Sequence, residues 1–289
     1  MNLNNIIIGT ANFTQRYGFE KNKFTNLNKL FKKIKKITKT SKKEIYLDCA
    51  QAYGSSLLAI GKHNKDIKIK YIVKILLNTK EKINFNFIKK KVLKSLSDLK
   101  ISQMYCLMLH DTKFLQNKKK MKIVLESLNK LKKEKYIKKK GISIYNLKEL
   151  NNIYSTFKPD IIQLSSNIFD QRFVQSRWVK KFKKDKKEIH IRSIFLQGLL
   201  LKKKIPIKFL HFKIEFEKWF SWLKKNSISP YDACLNFVLQ QKINAKFIIG
   251  LNNCDQLNQI VKFKKNKKKL NFMELASNKD KLINPTNWL

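Results

Sequence analysis

Three apolar segments of the chain end in side chains able to move a proton. The run at 45–50 leads into Asp48-Cys49-Ala50-Gln51-Ala52-Tyr53-Gly54. YIVKILL (71–77) carries Lys74 at its centre, and the run at 104–110 closes on His110, followed by Asp111. A phenol with an ordinary pKa of about 10 is a poor proton donor at neutral pH. A nearby Lys cation lowers that pKa, and an Asp keeps the Lys charged and in place. An imidazole beside the phenol can orient a carbonyl oxygen and share the charge that develops on it. Asp48, Tyr53, Lys74 and His110 thus describe an acid/base site for reducing a carbonyl, with a cofactor supplying the hydride. Singly, each has a plainer role: Lys74 could snorkel to a strand end, His110 could be a core group, Asp48 a cap, and Tyr53 packing. Their joint occurrence at three successive segment ends is what points to a site.

Such a set needs strands that open onto one rim. Short runs rich in Ile, Val, Leu, Tyr or Phe occur at 6–9, 45–50, 69–76, 104–110, 141–145, 160–164, 189–195 and 247–250. Most are near-continuously apolar, as parallel strands buried on both faces are. Between them, Phe87, Val92, Leu96 and Leu99 predict one helix face, and Ile123, Leu125, Leu128 and Leu131 another. In SISPYDACLNFVLQQ (227–241), Ser229 is placed to cap, Pro230 opens a helix and Asp232 lies in its first turn. The aromatic segment at 202–230, with Phe209, Phe212, Phe216, Trp219 and Trp222, reads as the core face of a helix rather than a substrate cage. Eightfold strand–helix alternation over 1–289, with no Pro/Gly/Ser linker, predicts a single-domain α/β fold, a (β/α)8 TIM barrel. A doubly wound sheet is the alternative, but TANFTQRYG, which follows Gly9, lacks the GxGxxG fingerprint.

Composition bounds the partners. The chain has 64 Lys+Arg against 20 Asp+Glu, a formal charge of +44, yet only Arg16, Arg172, Arg177 and Arg192 are arginines. Lysine runs recur at 32–36, 89–91, 118–120, 132–140, 180–187, 202–204 and 264–269. A nucleic-acid surface concentrates charge on one element and interleaves Arg and aromatics. These runs instead read as a solvated outer surface, accompanied by the Asn, Ile and Phe that an AT-rich genome favours. Hydrophobic residues at 43% and aromatics at 11% exclude a disordered basic tail. Cys49, Cys106, Cys234 and Cys254 have neither disulfide-framework nor metal-ligand spacing, so no metal is expected. No apolar run approaches a membrane span, and MNLNNIIIGT lacks a secretion signal's basic start and long apolar core. A cytoplasmic location without membrane or specific nucleic-acid partners is the expectation.

The residues and blocks resemble the aldo-keto reductase family. The likeness runs from GTANFTQRYG (9–18) to INPTNWL (283–289). DCAQAYGSSLLAIGK (48–62) resembles the family's Asp-x-Ala-x-x-Tyr-Gly segment, YIVKILL its Lys strand and LMLHD its His strand. GISIYN (141–146), IIQLSSNIFDQR (161–172), RSIFLQGLLL (192–201) and IIGLNNCDQLNQ (248–259) follow in the family's order. RSIFLQGLLL and INPTNWL look most like a bacterial branch often found near sugar or surface-polysaccharide genes.

The resemblance implies that Tyr53 is the proton donor, that Lys74 and Asp48 tune it, and that His110 orients the carbonyl. It implies NADPH as cofactor, with NADH possible. Ser143 and Gln163 would hold the nicotinamide carboxamide, and Arg192 stands where the family stacks an aromatic on that ring. Ser193, Leu196 and Gly198 would follow the pyrophosphate, and Asn253, Gln256 and Gln259 the adenosine end. Departures are visible: Leu57 replaces an acidic residue, Ile144 an Asn beside the nicotinamide, and Ile260 an Asn near the adenine. Gly250 and Gln256 stand where NADPH-selective members place Lys and Arg on the 2′-phosphate. Two other readings remain at this level: a barrel without turnover that binds nucleotides or acidic partners through its lysines, and a Schiff-base enzyme using Lys74. The substrate is a small carbonyl compound, and a monomer or weak homo-oligomer is expected.

Overall fold

The computed structural model describes residues 5–20, 24, 26–41, 44–64, 67–77, 82–241, 243–266 and 269–288. Residues 1–4 of the amino-terminal segment, Lys267 and Lys268 of the last lysine run, and Leu289 lie outside the described residues. Eight strands alternate with helices: β1 Ile6–Gly9, α1 Leu27–Ser41, β2 Ile45–Ala50, α2 Ser56–Gly61, β3 Ile69–Ile75, α3 Phe85–Leu99, β4 Met104–Leu109 and α4 Lys118–Lys133. The second half continues with β5 Ile137–Ile144, α5 Glu149–Phe157, β6 Ile161–Ser165, α6 Trp178–Lys184, β7 Glu188–Arg192, α7 Lys213–Lys225, α8 Pro230–Gln240 and β8 Ala245–Gly250. Two short helices follow, α9 Cys254–Lys262 and α10 Asp280–Ile283. All neighbouring strands pair in parallel, and β1 pairs with β8 to close the barrel, so the expected (β/α)8 fold stands.

The runs form strands because both faces are buried. Ile7, Ile72, Cys106, Met108 and Ile161 fill the barrel interior, while Ile8, Leu47, Val73 and Leu107 point to the helices. Gly141 is needed inside, where an added Cβ would meet Cys106 Sγ and Met108 Cε at 3.0 Å. Outside, Gly61 lets α2 approach α3 so closely that a Cβ would lie 2.1 Å from Asp98 O.

The helices follow their caps and apolar faces. Asn84 and Asn117 accept the N–H groups of Phe87 and Lys120 at the starts of α3 and α4. Ser229 caps α8, with Pro230 as its first residue, as the sequence predicts. In α4 the buried stripe is Met121, Val124, Leu128 and Leu131, and Ile123 is exposed. Steps of 3, 4 and 3 hold one face of a 3.6-residue helix better than a set that includes Ile123. Phe209, Phe212, Phe216, Trp219 and Trp222 are all buried, as a core face should be.

Most strand limits fall within two residues of the apolar runs, and two differ by more. β5 starts at Ile137 rather than 141, extending through Lys138, Lys139 and Lys140. Lys139 is accommodated because its Nζ lies 2.6 Å from Glu188 Oε2 at the lower end of the barrel. β7 stops at Arg192, because Ser193 takes a left-handed φ of +61° that no ladder continues.

Candidate active site

The carboxyl ends of the strands carry the polar groups. Asp48 sits beside Ile72 in the β2–β3 register, and Lys74 lies between Ala50 and Met108. After β2 the chain turns sharply, with Gln51 N–H donating to Lys74 O and Tyr53 N–H to Ala50 O. Gly54, at φ +57°, lets that turn close and sets Tyr53 over the barrel mouth. His110 follows β4 directly, its N–H bonded to Ile75 O at 2.9 Å.

These elements bring the four expected catalytic residues together. Lys74 Nζ lies 2.5 Å from Asp48 Oδ2 and donates to Gln163 Oε1 at 3.3 Å. Gln163 Nε2 donates in turn to Asp48 Oδ1 at 2.8 Å. The ammonium is 5.2 Å from the centroid of the Tyr53 ring. The His110 ring meets Tyr53 edge-on, 6.1 Å between centroids at 90°. Lys74 is only 3% exposed, and no other Lys or Arg among the described residues is buried.

Burial and charge set the protonation states. Burial pulls the Lys74 pKa down, but the Asp48 carboxylate and the Tyr53 oxygen more than reverse it, and the ammonium is held above its ordinary range. Burial pushes Tyr53 up and outweighs the opposing Lys74 charge, so the phenol holds its proton more firmly than in water. The sequence argument, which had Lys74 lowering the phenol, names a real effect that desolvation exceeds. Burial, then Lys74, with a further push from Arg192, brings His110 down to about 4 against the pull of Asp48. The imidazole is therefore neutral at pH 7.

A cleft of about 790 Å³ runs from these groups across the ends of β5 to β8. Of the residues expected to hold cofactor, Ser143, Gln163, Arg192, Ser193, Gly198, Gln256 and Gln259 line it. The Leu196 side chain is in the core, and that of Asn253 caps α9 by accepting the N–H groups of Asp255 and Gln256. Ser143 and Gln163 are register partners, so both reach the same side of the rim. Ser193, Leu196, Gln197 and Gly198 all have positive φ, a tight turn closed by Leu196 N–H on Ser193 O and Gly198 N–H on Phe195 O, which sets Ser193 and Gly198 on the cleft wall. Space beyond Gly198 and Gly250 is open where a Cβ would stand. The size of the cleft, the Ser143–Gln163 pair and the neutral Gln256 and Gln259 at its far end fit a nicotinamide dinucleotide.

Other lining residues were not singled out in the sequence. Tyr17 stands 6.5 Å from Tyr53, ring to ring, and applying the strand-end rule to the segment after β1 would have found it. Tyr145 lies two residues past Ser143 on the same face, and the Arg192 guanidinium rests over its ring at 4.1 Å. Phe195 and Tyr231 stack at 5.5 Å and 14° to form one wall, a pairing between the segment after β7 and the first turn of α8 that no local pattern signals. Among the described residues no group of His, Cys, Asp or Glu is placed to hold a metal, and the four cysteines are free and buried. Among the described residues no helix is long and apolar enough to cross a membrane.

A barrel carrying such a rim defines a class, and residues 5–279 match the model of the Aldo/keto reductase family; the chain belongs to that family. It is accordingly an NAD(P)-dependent oxidoreductase. Among solved structures it is similar to an aldo-keto reductase, AKR11C1, from Bacillus halodurans, with TM-score 0.70 and 17% identity over 94% of this chain and 92% of that one. A glycerol dehydrogenase, AKR11B4, from Gluconobacter oxydans gives TM-score 0.64 and 16% identity, covering 91% and 88%. The aldose reductase of Schistosoma japonicum gives 0.61 and 16%, covering 94% and 87%. No curated protein matches the chain in sequence.

Two tests follow from the buried charges. Asp48→Leu leaves the Lys74 ammonium without a counter-ion and should cost about 3–5 kcal/mol in urea unfolding. Adding Lys74→Met should recover most of it, and a double variant no more stable than the single would contradict this account. For His110, the folded pKa of about 4 lies below its ordinary 6.5. The unfolded chain therefore binds more protons in that window, and His110 makes stability fall as pH drops from 6.5 toward 4. Proton NMR of its ring should show no titration between pH 8 and 6.

Proposed function

We propose that the chain reduces the carbonyl of an aldehyde, ketone or sugar, using NADPH with NADH as an acceptable substitute, and that Tyr53 donates the proton. The observation that carries this reading is the buried Lys74, clamped to Asp48 at 2.5 Å and facing the Tyr53 ring beside a cleft of cofactor size. When bound, the nicotinamide supplies a hydride to the carbonyl carbon.

Every other step belongs to the protein. Neutral His110 donates an N–H to the carbonyl oxygen and, being uncharged, does not compete with Tyr53 as proton source. Tyr53 keeps its proton until negative charge develops on that oxygen, then passes it across. Lys74 lies where it can stabilise the phenolate left behind, and Asp48 with Gln163 fixes the ammonium so that it does not reorganise during transfer. Ser143 and the unused capacity of the Gln163 amide hold the carboxamide. Ser193, Gly198 and the backbone at Leu196 follow the pyrophosphate, and Asn253, Gln256 and Gln259 the adenosine end.

The substrate is a small carbonyl compound, taken by a monomer or weakly associated homo-oligomer in the cytoplasm, without membrane or specific nucleic-acid partners. The lysines support this by their spread over α1, α3, α4 and α6, rather than along one element.

Tyr53→Phe should lower kcat for a generic aldehyde by roughly 10²–10⁴-fold. Cofactor affinity, read by fluorescence titration, should survive in that variant. Turnover equal to wild type would remove Tyr53 from the mechanism. Gly250 and Gln256 offer no charged fork to a 2′-phosphate. NADPH and NADH should therefore bind within roughly tenfold of one another, less than one charge-assisted contact confers. A thousandfold preference for NADPH would show that another cation holds that phosphate.

A further inference from the structure

Six charged side chains line the cleft: Glu20, Asp48, Lys74, Arg192, Lys202 and Lys203. Both acids are committed, Asp48 to Lys74 and Glu20 to Lys202. Arg192 has no carboxylate at ion-pair distance among the described residues, although it sits at the end of β7 on the same rim as His110 and Tyr53.

Its guanidinium is held rather than free. The plane lies over the Tyr145 ring at 4.1 Å, Nη2 donates to Ile144 O at 3.0 Å, and Nη1 reaches Ser193 Oγ at 3.3 Å. Those two bonds leave N–H donors over, because a guanidinium has more than its neighbours use here. Its charge reaches the two rings that pack against Tyr53: burial raises the Tyr17 phenol and Arg192 opposes that rise, while burial and Lys74 lower His110 and Arg192 adds to the fall. A fixed, planar cation in the same cleft as Tyr53 and His110, with spare donors and no internal counter-ion, is prepared for a planar anion.

We propose that the carbonyl substrate is an oxo acid, a short aldehyde or ketone whose carboxylate is gripped by Arg192. The proposal rests on the reductase reading above and deepens it by naming the substrate class. A neutral carbonyl compound would offer the spare guanidinium donors no charged acceptor from the substrate side. A carboxylate gives it a fork-shaped partner and holds the carbonyl against His110 and Tyr53.

The test uses substrates matched in length: glyoxylate against acetaldehyde, and 4-oxobutanoate against butanal. In the wild type kcat/KM should favour each acid by roughly tenfold to a hundredfold, chiefly through KM. Because each comparison is a ratio within one protein, any effect of Arg192 on cofactor binding cancels. Arg192→Met should bring both ratios close to one, and Arg192→Lys should keep part of the preference, retaining charge without the fork. Ratios near one in the wild type, or a preference that persists in Arg192→Met, would overturn the proposal. Failure of the wild type to turn over any of the four compounds would count against the reductase reading alone. The grip is then read by calorimetric titration of butanoate and butanamide: tighter butanoate binding that is lost in Arg192→Met supports it, and equal affinities refute it.

Discussion

Burying one ammonium inside a closed barrel constrains everything around it. An isolated lysine at the position of Lys74 would give up its proton rather than stay charged away from water. It remains charged because Asp48 meets it at 2.5 Å and Gln163 bridges both partners with its amide. The three residues come from β3, β2 and β6, so no single strand or hairpin builds the arrangement. It exists only when the barrel closes in register, and for that reason the chemistry and the topology are one requirement. A buried ion pair is poor evidence for stability, since apolar residues often serve as well. Here the pair keeps an ammonium 5.2 Å from the centroid of the Tyr53 ring, where the proposed proton transfer would use it.

The opposite end of the barrel shows the same solution without a cleft. Glu188 accepts from Tyr105, Lys139, His190 and Lys246 at 2.6 to 2.9 Å. Burial alone would push its carboxyl up, but those donors hold it well below the usual carboxylate range. Between the two networks lies an apolar layer that includes Ile7, Ile72, Cys106, Met108 and Ile161. The ions at each end are paired locally, but the Asp48 charge still reaches His190 through that layer, and His190 Nδ1 is buried without a hydrogen-bond partner. The lower network accounts for lysines inside a strand that the sequence offers as plain surface charge.

Much of the site was legible because its logic is local. A strand read from its apolar run places the residue at its end, and Asp48, Lys74 and His110 follow from that rule. Tyr53 is read from the turn beyond β2. Ser143 and Gln163 likewise occupy the inward positions of their strands. What remained hidden depends on pairings across the fold. Lys139 enters the barrel because of Glu188, some fifty positions away, and an apolar-run rule starts β5 too late for that reason. The Phe195–Tyr231 wall joins the segment after β7 to the start of α8, and the Tyr145 platform is visible only once Arg192 is seen to rest on it. The balance between burial and Lys74 at Tyr53 is a matter of magnitude, and residue types alone give only its opposing signs.

The departures from the family pattern become intelligible from the direction in which each side chain points. Leu57 is buried on α2, and Ile144 is buried among residues packed against the helices. Ile144 reaches the site with its backbone instead, since its carbonyl accepts from Arg192. Exchanging a polar side chain for isoleucine at that position trades a contact in the cleft for apolar packing behind it, while the carbonyl that steadies the guanidinium is independent of side-chain type. Ile260 is buried yet borders the cleft, so there the exchange alters the wall itself. The substitutions therefore fall into two physical kinds. Those behind the strands leave the charged centre as it is, and those at the far end of the cleft change what the adenosine half would touch. At one end Asp48, Lys74 and Gln163 fix one another by charge and hydrogen bonds, so a change in one leaves the others unpaired, whereas the far end is lined by the neutral amides of Gln256 and Gln259.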